Sequence, residues 1–397
     1  MQYPRLIIQS AKAASIQRQH PWVFSGAIQK IIGKPEAGDV VELFTPQGNY
    51  LATAHYQPDS SIAARILSFT QTPIDEVFWE QKIARALQLR QEMGIGAQPH
   101  TNAYRLINAE GDGIPGLIAD VYGKTVVLQA HHLGIYRCLP HITQAITKVM
   151  GNRIQAIYNK SADTLHHSHQ TDVQNDYLWG NNPQTGETIT ENGCQFWVDW
   201  VSGQKTGFFL DQRENRLQVA EWANGKKVLN AFCYSGGFSV YALRAGANLV
   251  HSIDSSAKAI EWTAKNIELN PHFRGTHQSF TSDVMPFLAN PPHTYNLIIL
   301  DPPAFAKNLK ARHQAVQGYK RLNARALSVI EKGGILVTFS CSSVIDPALF
   351  YDTIRAAAIE SGRNISLIKR LCHPPDHPVS IYHPEGEYLK GICVYVE

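Results

Sequence analysis

Late in the chain, a thiol and a carboxylate each stand at the end of an apolar run. Cys341 follows Val337-Thr338-Phe339-Ser340, and Asp301 follows Asn296-Leu297-Ile298-Ile299-Leu300. A thiolate is a strong nucleophile, and polar or electropositive surroundings favour it over the thiol. Behind Asp301 come Pro302 and Pro303, which fix φ and remove two backbone donors, so this segment is stiff and does not rejoin a sheet. Stiffness at a strand end suits holding a flat base against a reactive group. Each residue alone also has a structural reading: a small buried apolar cysteine, and a rigid loop with a capping aspartate. Their common place at one rim of a sheet favours chemistry.

A third run, Val228-Leu229-Asn230-Ala231, enters Phe232-Cys233-Tyr234-Ser235-Gly236-Gly237 and then a helix. Two glycines let a ligand approach backbone that a Cβ would block. The spacing is not that of a dinucleotide fingerprint, because Gly236 and Gly237 are adjacent and no third glycine follows. Asp254 ends the next strand, 17 residues on, near the position where a carboxylate takes both ribose hydroxyls. A nucleoside without a diphosphate fits this pair, and S-adenosylmethionine (SAM) is the common one. A tight structural turn with an N-capping Asp254 is the alternative. Asp283, at the third strand end, is placed either to take the adenine amino group or to cap a helix.

From Ala304 to Ile330 there are six cations, Lys307, Lys310, Arg312, Lys320, Arg321 and Arg325, and no acid. A cationic lip directly after the Asp301-Pro302-Pro303 turn fits contact with nucleic-acid phosphates. An ordinary solvated helix would alternate the two signs. His131-His132 and His166-His167-Ser168-His169 lack a zinc-type ligand spacing and are expected in surface loops; no metal is expected.

These residues need a scaffold. Beyond about residue 190 the chain alternates strand and helix, with strands at 228–231, 249–253, 297–300 and 335–339 and helices at 239–245 and 256–269. The runs 297–300 and 335–339 are continuous and apolar, as a parallel sheet covered on both faces requires, so a doubly wound α/β domain is expected over 191–397. Residues 1–70 read as a small β-rich unit, with strands at 5–8, 40–44, 48–54 and 62–67. Residues 71–190 read as an α+β spacer, with helices at 74–93 and 136–150 and strands at 117–121, 125–129 and 156–158.

The sequence has 397 residues, a prior of two or three domains. Hydrophobic residues make up 44% and charged residues 17%, enough for real cores and against disorder. A net charge of +3 confines any nucleic-acid surface to a local patch. No apolar run approaches the ~18 residues of a membrane span, and the first residues do not read as a signal peptide. Six scattered cysteines without a CxxC pair suit reduced thiols in a cytoplasm.

The chain resembles the PUA-domain-containing, SAM-dependent methyltransferases that make 5-methylcytosine in 23S ribosomal RNA. The likeness runs through His20-Pro21-Trp22-Val23-Phe24-Ser25-Gly26-Ala27-Ile28, Gly113-Ile114-Pro115-Gly116-Leu117-Ile118-Ala119-Asp120, and the long segment Lys205-Thr206-Gly207-Phe208-Phe209-Leu210-Asp211-Gln212-Arg213-Glu214-Asn215-Arg216. It implies a PUA-like RNA-binding domain, an α+β middle domain, and a class I methyltransferase domain with a Rossmann-like doubly wound sheet. It also implies that Lys205, Phe208, Asp211, Gln212 and Arg213 border the cofactor. The stretch from Asn230 through Phe232, Tyr234, Gly236 and Gly237 would hold its methionine, Asp254 its ribose and Asp283 its adenine. Asp301 and Cys341 match the acidic motif and the catalytic cysteine. Many 5-methylcytosine enzymes carry a second cysteine after the acid motif's proline, but here Ala304 follows Pro303, so covalent attack falls to Cys341. A homodimer is compatible with the resemblance. Two other readings are a purine N-methyltransferase and a non-catalytic RNA-binding protein on the same scaffold.

Overall fold

The computed structural model describes residues 3–96, 100–165, 173–306 and 308–397. They form two units: Met1–Glu187 with Val198–Phe208 and Pro375–Gly386, and Thr188–Trp197 with Phe209–Pro374 and Glu387–Glu397.

The first unit opens with β1 (Arg5–Ile8), α1 (Ser10–Gln17), β2 (Trp22–Phe24), β3 (Ile28–Ile32), β4 (Val40–Phe44), β5 (Tyr50–Tyr56) and β6 (Ile62–Ser68). The six strands make one sheet in the order β2-β6-β5-β4-β1-β3. Alternate residues face one core, with Leu6, Ile8, Val41, Leu43, Ala52, Ala54 and Ile66 inside, as the two-residue period of a strand requires. The expected strands at 5–8, 40–44 and 62–67 match closely, and the one expected at 48–54 runs 50–56. Next come α2 (Glu76–Glu92), β7 (Ala103–Asn108), β8 (Leu117–Tyr122), β9 (Thr125–Ala130), α3 (Leu133–Met150), β10 (Ala156–Asn159), α4 (Ala162–Leu165) and β11 (Asp176–Gly180). Their five strands form a second sheet, β11-β10-β9-β8-β7, sharing a core with α2 and α3 through Trp79, Ile83, Leu128, Ile135, Ile142 and Ile146.

His132 departs from the sequence expectation. It is buried and caps α3, its Nδ1 accepting the Ile135 amide at 3.4 Å while Nε2 sits 2.9 Å from the Pro115 carbonyl. Burial holds its pKa well below the usual value, so the ring is neutral. His131 is exposed, and the His166-His167-Ser168-His169 run lies outside the described residues.

β12 (Gly186–Glu191) and β13 (Cys194–Asp199) pair as a two-stranded ribbon. The second unit continues with α5 (Arg213–Ala220), β14 (Lys227–Ala231), α6 (Gly237–Arg244), β15 (Leu249–Asp254), α7 (Ala257–Glu268), β16 (Thr276–Thr281), α8 (Val284–Ala289) and β17 (Tyr295–Leu300). It closes with α9 (Arg312–Val329), β18 (Ile330–Ser340), α10 (Pro347–Ser361), β19 (Ile365–Leu371) and β20 (Lys390–Val396). The seven-stranded order is β16-β15-β14-β17-β18-β20-β19. The strands from β16 to β18 are parallel, and β20 enters antiparallel between β18 and β19. Separate apolar cores fill the two faces, which is why 297–300 and 335–339 read as continuous apolar runs. The chain winds outward from β14 in both directions. The crevice at the carboxyl ends of β14 and β17 is therefore the topological switch point, where such sheets bind ligands.

One buried ion pair stiffens this unit below the crevice. Arg216 of α5 meets Glu191 through Nε–Oε1 at 2.9 Å and Nη2–Oε2 at 2.8 Å, and its Nη1 donates to the Phe209 carbonyl at 3.0 Å. Tyr241 donates to the same carboxylate at 3.0 Å. Glu191→Ala would leave the buried Arg216 guanidinium without the carboxylate that balances its charge. It is expected to destabilise the second unit by about 3–5 kcal/mol, seen as a lower urea midpoint.

Candidate active site

Register places the two chemical residues at one rim. Leu300 pairs with Ala231 on one side and Thr338 on the other, so Asp301 and Cys341 emerge from adjacent parallel strands. Cys341 Sγ lies 3.9 Å from the Pro302 carbonyl, and both Cys341 and Asp301 are half-buried. The other cysteines differ in setting. Burial pushes the thiols of Cys233 and Cys393 up to about 12 and that of Cys138 to about 11. Cys194 is also raised, and Cys372 is exposed on the surface.

Asp301 sits in an environment that resists its charge. Removal from water, and then the neighbouring Asp211 carboxylate, raise it to about 7; the Gln212 hydrogen bond and Arg216 oppose the rise. Gln212 Nε2 donates to Asp301 Oδ2 at 3.0 Å, while Asn215 Nδ2 donates to Gln212 Oε1 at 2.6 Å and fixes the amide's orientation. Asn215 is in turn tied to the Cys372 carbonyl at 3.1 Å. Asp211 accepts from Tyr388 Oη at 2.8 Å through Oδ2. Gln212 and Asp211 were legible as motif residues; Asn215's part in orienting Gln212, and Tyr388, were not.

The glycine turn after β14 is strained. Phe232 and Tyr234 hold φ at +60° and +48°, and Gly236 at +78°. Two non-glycine residues in the left-handed region within three positions is the kind of local cost that clusters at ligand sites. Asp254 holds the turn from β15: Oδ2 accepts the Tyr234 amide and Oδ1 the Ser256 amide, both at 2.9 Å. Behind it, α7 supplies Thr263 to the Tyr234 carbonyl and Asn266 to the Ser235 carbonyl, each at 2.8 Å. A Cβ on Gly236 would stand 2.8 Å from Thr263 Cγ2. Thr263 and Asn266 carry no motif and are found only once α7 is docked. Asp283 stands exposed at the start of α8, with no side-chain cap bond.

In the first unit, Lys205 is exposed with φ at +53°. Phe208 is buried, its amide and carbonyl both 3.2 Å from Tyr122 Oη. Arg213 opens α5, buried. Along the cationic stretch, acids arrive from elsewhere in the fold: Arg312 meets Asp346 at 3.2 Å and Lys320 meets Glu360 at 2.8 Å. Arg325 donates to the Ala289 carbonyl at 2.8 Å. The acid-free run is thus partly neutralised by α10 and its cap. Lys310 and Arg321 are exposed, and Lys307 lies outside the described residues.

Comparison with known proteins decides the family. Residues 135–385 match the model of S-adenosylmethionine-dependent methyltransferases, and residues 6–69 match a PUA-like domain. Ribosomal RNA large subunit methyltransferase I of Pseudoalteromonas atlantica is 37% identical over 99% of both chains, and that of Vibrio cholerae 35% over 99% of both. The chain belongs to this family. It is a SAM-dependent methyltransferase with a PUA-like domain. In fold it is similar to a SAM-dependent methyltransferase from Streptococcus mutans, at TM-score 0.85 and 23% identity, over 98% of this chain and 99% of that one. A methyltransferase complexed with SAH superposes at TM-score 0.86 with 23% identity and the same coverage.

The crevice residues of the methyltransferase unit suit SAM. Buried polar atoms without hydrogen-bond partners occur on the turn and beside it, at Asn230 Oδ1, Ser235 Oγ and Asp211 Oδ1. A ligand carrying an amino group and hydroxyls would satisfy such acceptors.

Proposed function

We propose that this methyltransferase methylates carbon 5 of a cytosine in large-subunit ribosomal RNA, through a covalent adduct of Cys341. The observation that carries this reading is the pairing of Cys341 with Asp301 at the carboxyl ends of β18 and β17, next to the strained turn of β14. The full-length relatives named for large-subunit ribosomal RNA supply the substrate class, and the cations Lys307, Lys310, Arg312, Lys320, Arg321 and Arg325 would meet its phosphates. Residues 1–70 would serve as the RNA-binding domain, 71–190 as the middle domain and 191–397 as the catalytic one.

Carbon 5 of cytosine is too electron-poor to take a methyl group unaided. The base is first unstacked, at a cost of a few kcal/mol. The Cys341 thiolate then forms a bond to carbon 6, and the displaced π electrons make carbon 5 nucleophilic. Asp301, in the protonated form that its raised pKa of about 7 keeps populated towards neutral pH, donates a hydrogen bond to the ring edge where negative charge collects. Bound SAM supplies the sulfonium methyl that carbon 5 takes up. A base takes the carbon 5 proton, and the electron pair of that C–H bond restores the ring double bond and expels Cys341 as thiolate. Asn230 to Gly237 would hold the methionine part of SAM, Asp254 the ribose and Asp283 the adenine, with Asp211, Gln212 and Arg213 along its border.

Phe305 counts against purine N-methylation, in which an aromatic ring after the two prolines would stack on the base. It packs instead on Tyr319, with ring centroids 4.5 Å apart, and crowds Gly318, where a Cβ would stand 2.9 Å from the ring. The direct test is incubation of the protein with methyl-labelled SAM and large-subunit rRNA, followed by nucleoside analysis. Label in 5-methylcytidine is expected; label in a methylated purine overturns the reading.

Asp254→Ala gives a second expected result. Loss of a carboxylate that both takes the ribose and anchors the Tyr234 amide should weaken SAM binding by about 10²-fold or more, measured by calorimetry. Unchanged affinity would remove Asp254 from the cofactor site.

A further inference from the structure

Lys390 is a buried lysine that no motif singles out. It opens β20 directly opposite Ser340 in the antiparallel register with β18, is only 3% exposed, and donates from Nζ to the Ser342 carbonyl at 2.7 Å. Cys341 is the residue between its register partner and its hydrogen-bond acceptor. An ammonium has three donors, and lysine is almost never fully buried unless something repays the loss of water.

We propose that Lys390 is a positioning residue for Cys341: its ammonium clamps the 340–342 segment and stabilises the thiolate. The inference rests on the covalent reading for its purpose. The groups facing Lys390 are Cys341, Glu387 and Asp346, of which Cys341 acts on it most strongly. Burial lowers Lys390 to about 8 and these neighbours oppose the fall, so the amine stays mainly cationic at pH 7. The coupling is mutual: a thiolate that favours the ammonium is favoured by it. From the other elements, Tyr319 of α9 faces Cys341 and also Asp301. Neither brings positive charge, whereas Lys390 does and interacts electrostatically with Cys341.

The test is the pH dependence of iodoacetamide alkylation on the intact protein, read at each cysteine by peptide mass spectrometry. The exposed Cys372 serves as internal reference. In the wild type, the Cys341 midpoint is expected below that of Cys372. In Lys390→Met, the Cys341 midpoint is expected to rise by about one pH unit or more, with Cys372 unmoved; in Lys390→Arg, which keeps the charge, it should stay close to wild type. A Cys341 profile in Lys390→Met that overlays the wild type, or a Lys390→Arg profile that follows Lys390→Met, overturns the proposal. Should Lys390→Met not fold, the wild-type comparison decides, since a Cys341 midpoint at or above that of Cys372 also overturns it. Alkylation needs neither RNA nor turnover. Failure of cytosine methylation with a normal Lys390 effect would therefore condemn the covalent reading and not the clamp.

Discussion

Cys341→Ala is expected to lower methyl transfer by about 10³-fold or more while leaving SAM affinity within about twofold of wild type. The size follows from the chemistry: removing a covalent nucleophile removes the step that makes carbon 5 reactive, and no neighbouring group substitutes for it. Cys233, a thiol within the glycine turn, is buried and its pKa is pushed up to about 12. It also belongs to the turn rather than to the rim beside Asp301. Preserved SAM binding follows from position, because the turn is held by Asp254, Thr263 and Asn266 and not by Cys341. Single-turnover methylation and calorimetry on the same preparation check the two halves. Retained turnover in the alanine variant would point to direct attack by a ring or exocyclic nitrogen, and the covalent scheme would be abandoned.

The methyltransferase sheet was legible because burial on both faces leaves a simple record. Residues 297–300 of β17 and 335–339 of β18 are continuous apolar runs, and β14, β15, β17 and β18 each hand their last residue to a turn with distinctive chemistry. The small domain was less legible. Helix α1 buries only Ala13 and Ile16, so it has little apolar periodicity to find, and β3 is almost wholly exposed. Residues that act through partners distant in sequence left no local signal. Glu191 and Arg216 are a pair only because the ribbon meets α5, and Lys390 reaches the Ser342 carbonyl only because β20 inserts beside β18. The cationic run reads as free of acids for the same reason, since the counter-charges of Arg312 and Lys320, Asp346 and Glu360, come from a neighbouring helix and its cap. His132 looked like loop because its burial depends on β8, β9 and α3 closing around it.

Asp301→Asn is expected to separate activity from stability in opposite directions. With Asp301 raised to about 7 by burial first and Asp211 second, the native protein keeps a proton that the unfolded chain releases near pH 4. A carboxyl of this kind stabilises the fold fully below its ordinary value and loses that contribution as pH rises towards 7, with no further change above. Asparagine has no such proton, and its carbonyl can still accept from Gln212 Nε2. The variant should therefore gain on the wild type progressively from about pH 4 to pH 7, reaching an advantage of about 2–4 kcal/mol at pH 8. Methyl transfer should move the other way, falling about 10²–10³-fold as the acidic proton at the ring edge is lost. The wild-type rate should also decline on the alkaline side of about pH 7 as Asp301 ionises, a limb the variant should lack. Thermal denaturation at pH 5 and pH 8, together with pH–rate profiles for both proteins, checks each sign. A variant less stable than wild type at pH 8 would show that Asp301 is a paired, ionised carboxylate, and its role as hydrogen-bond donor to the pyrimidine would fall with it.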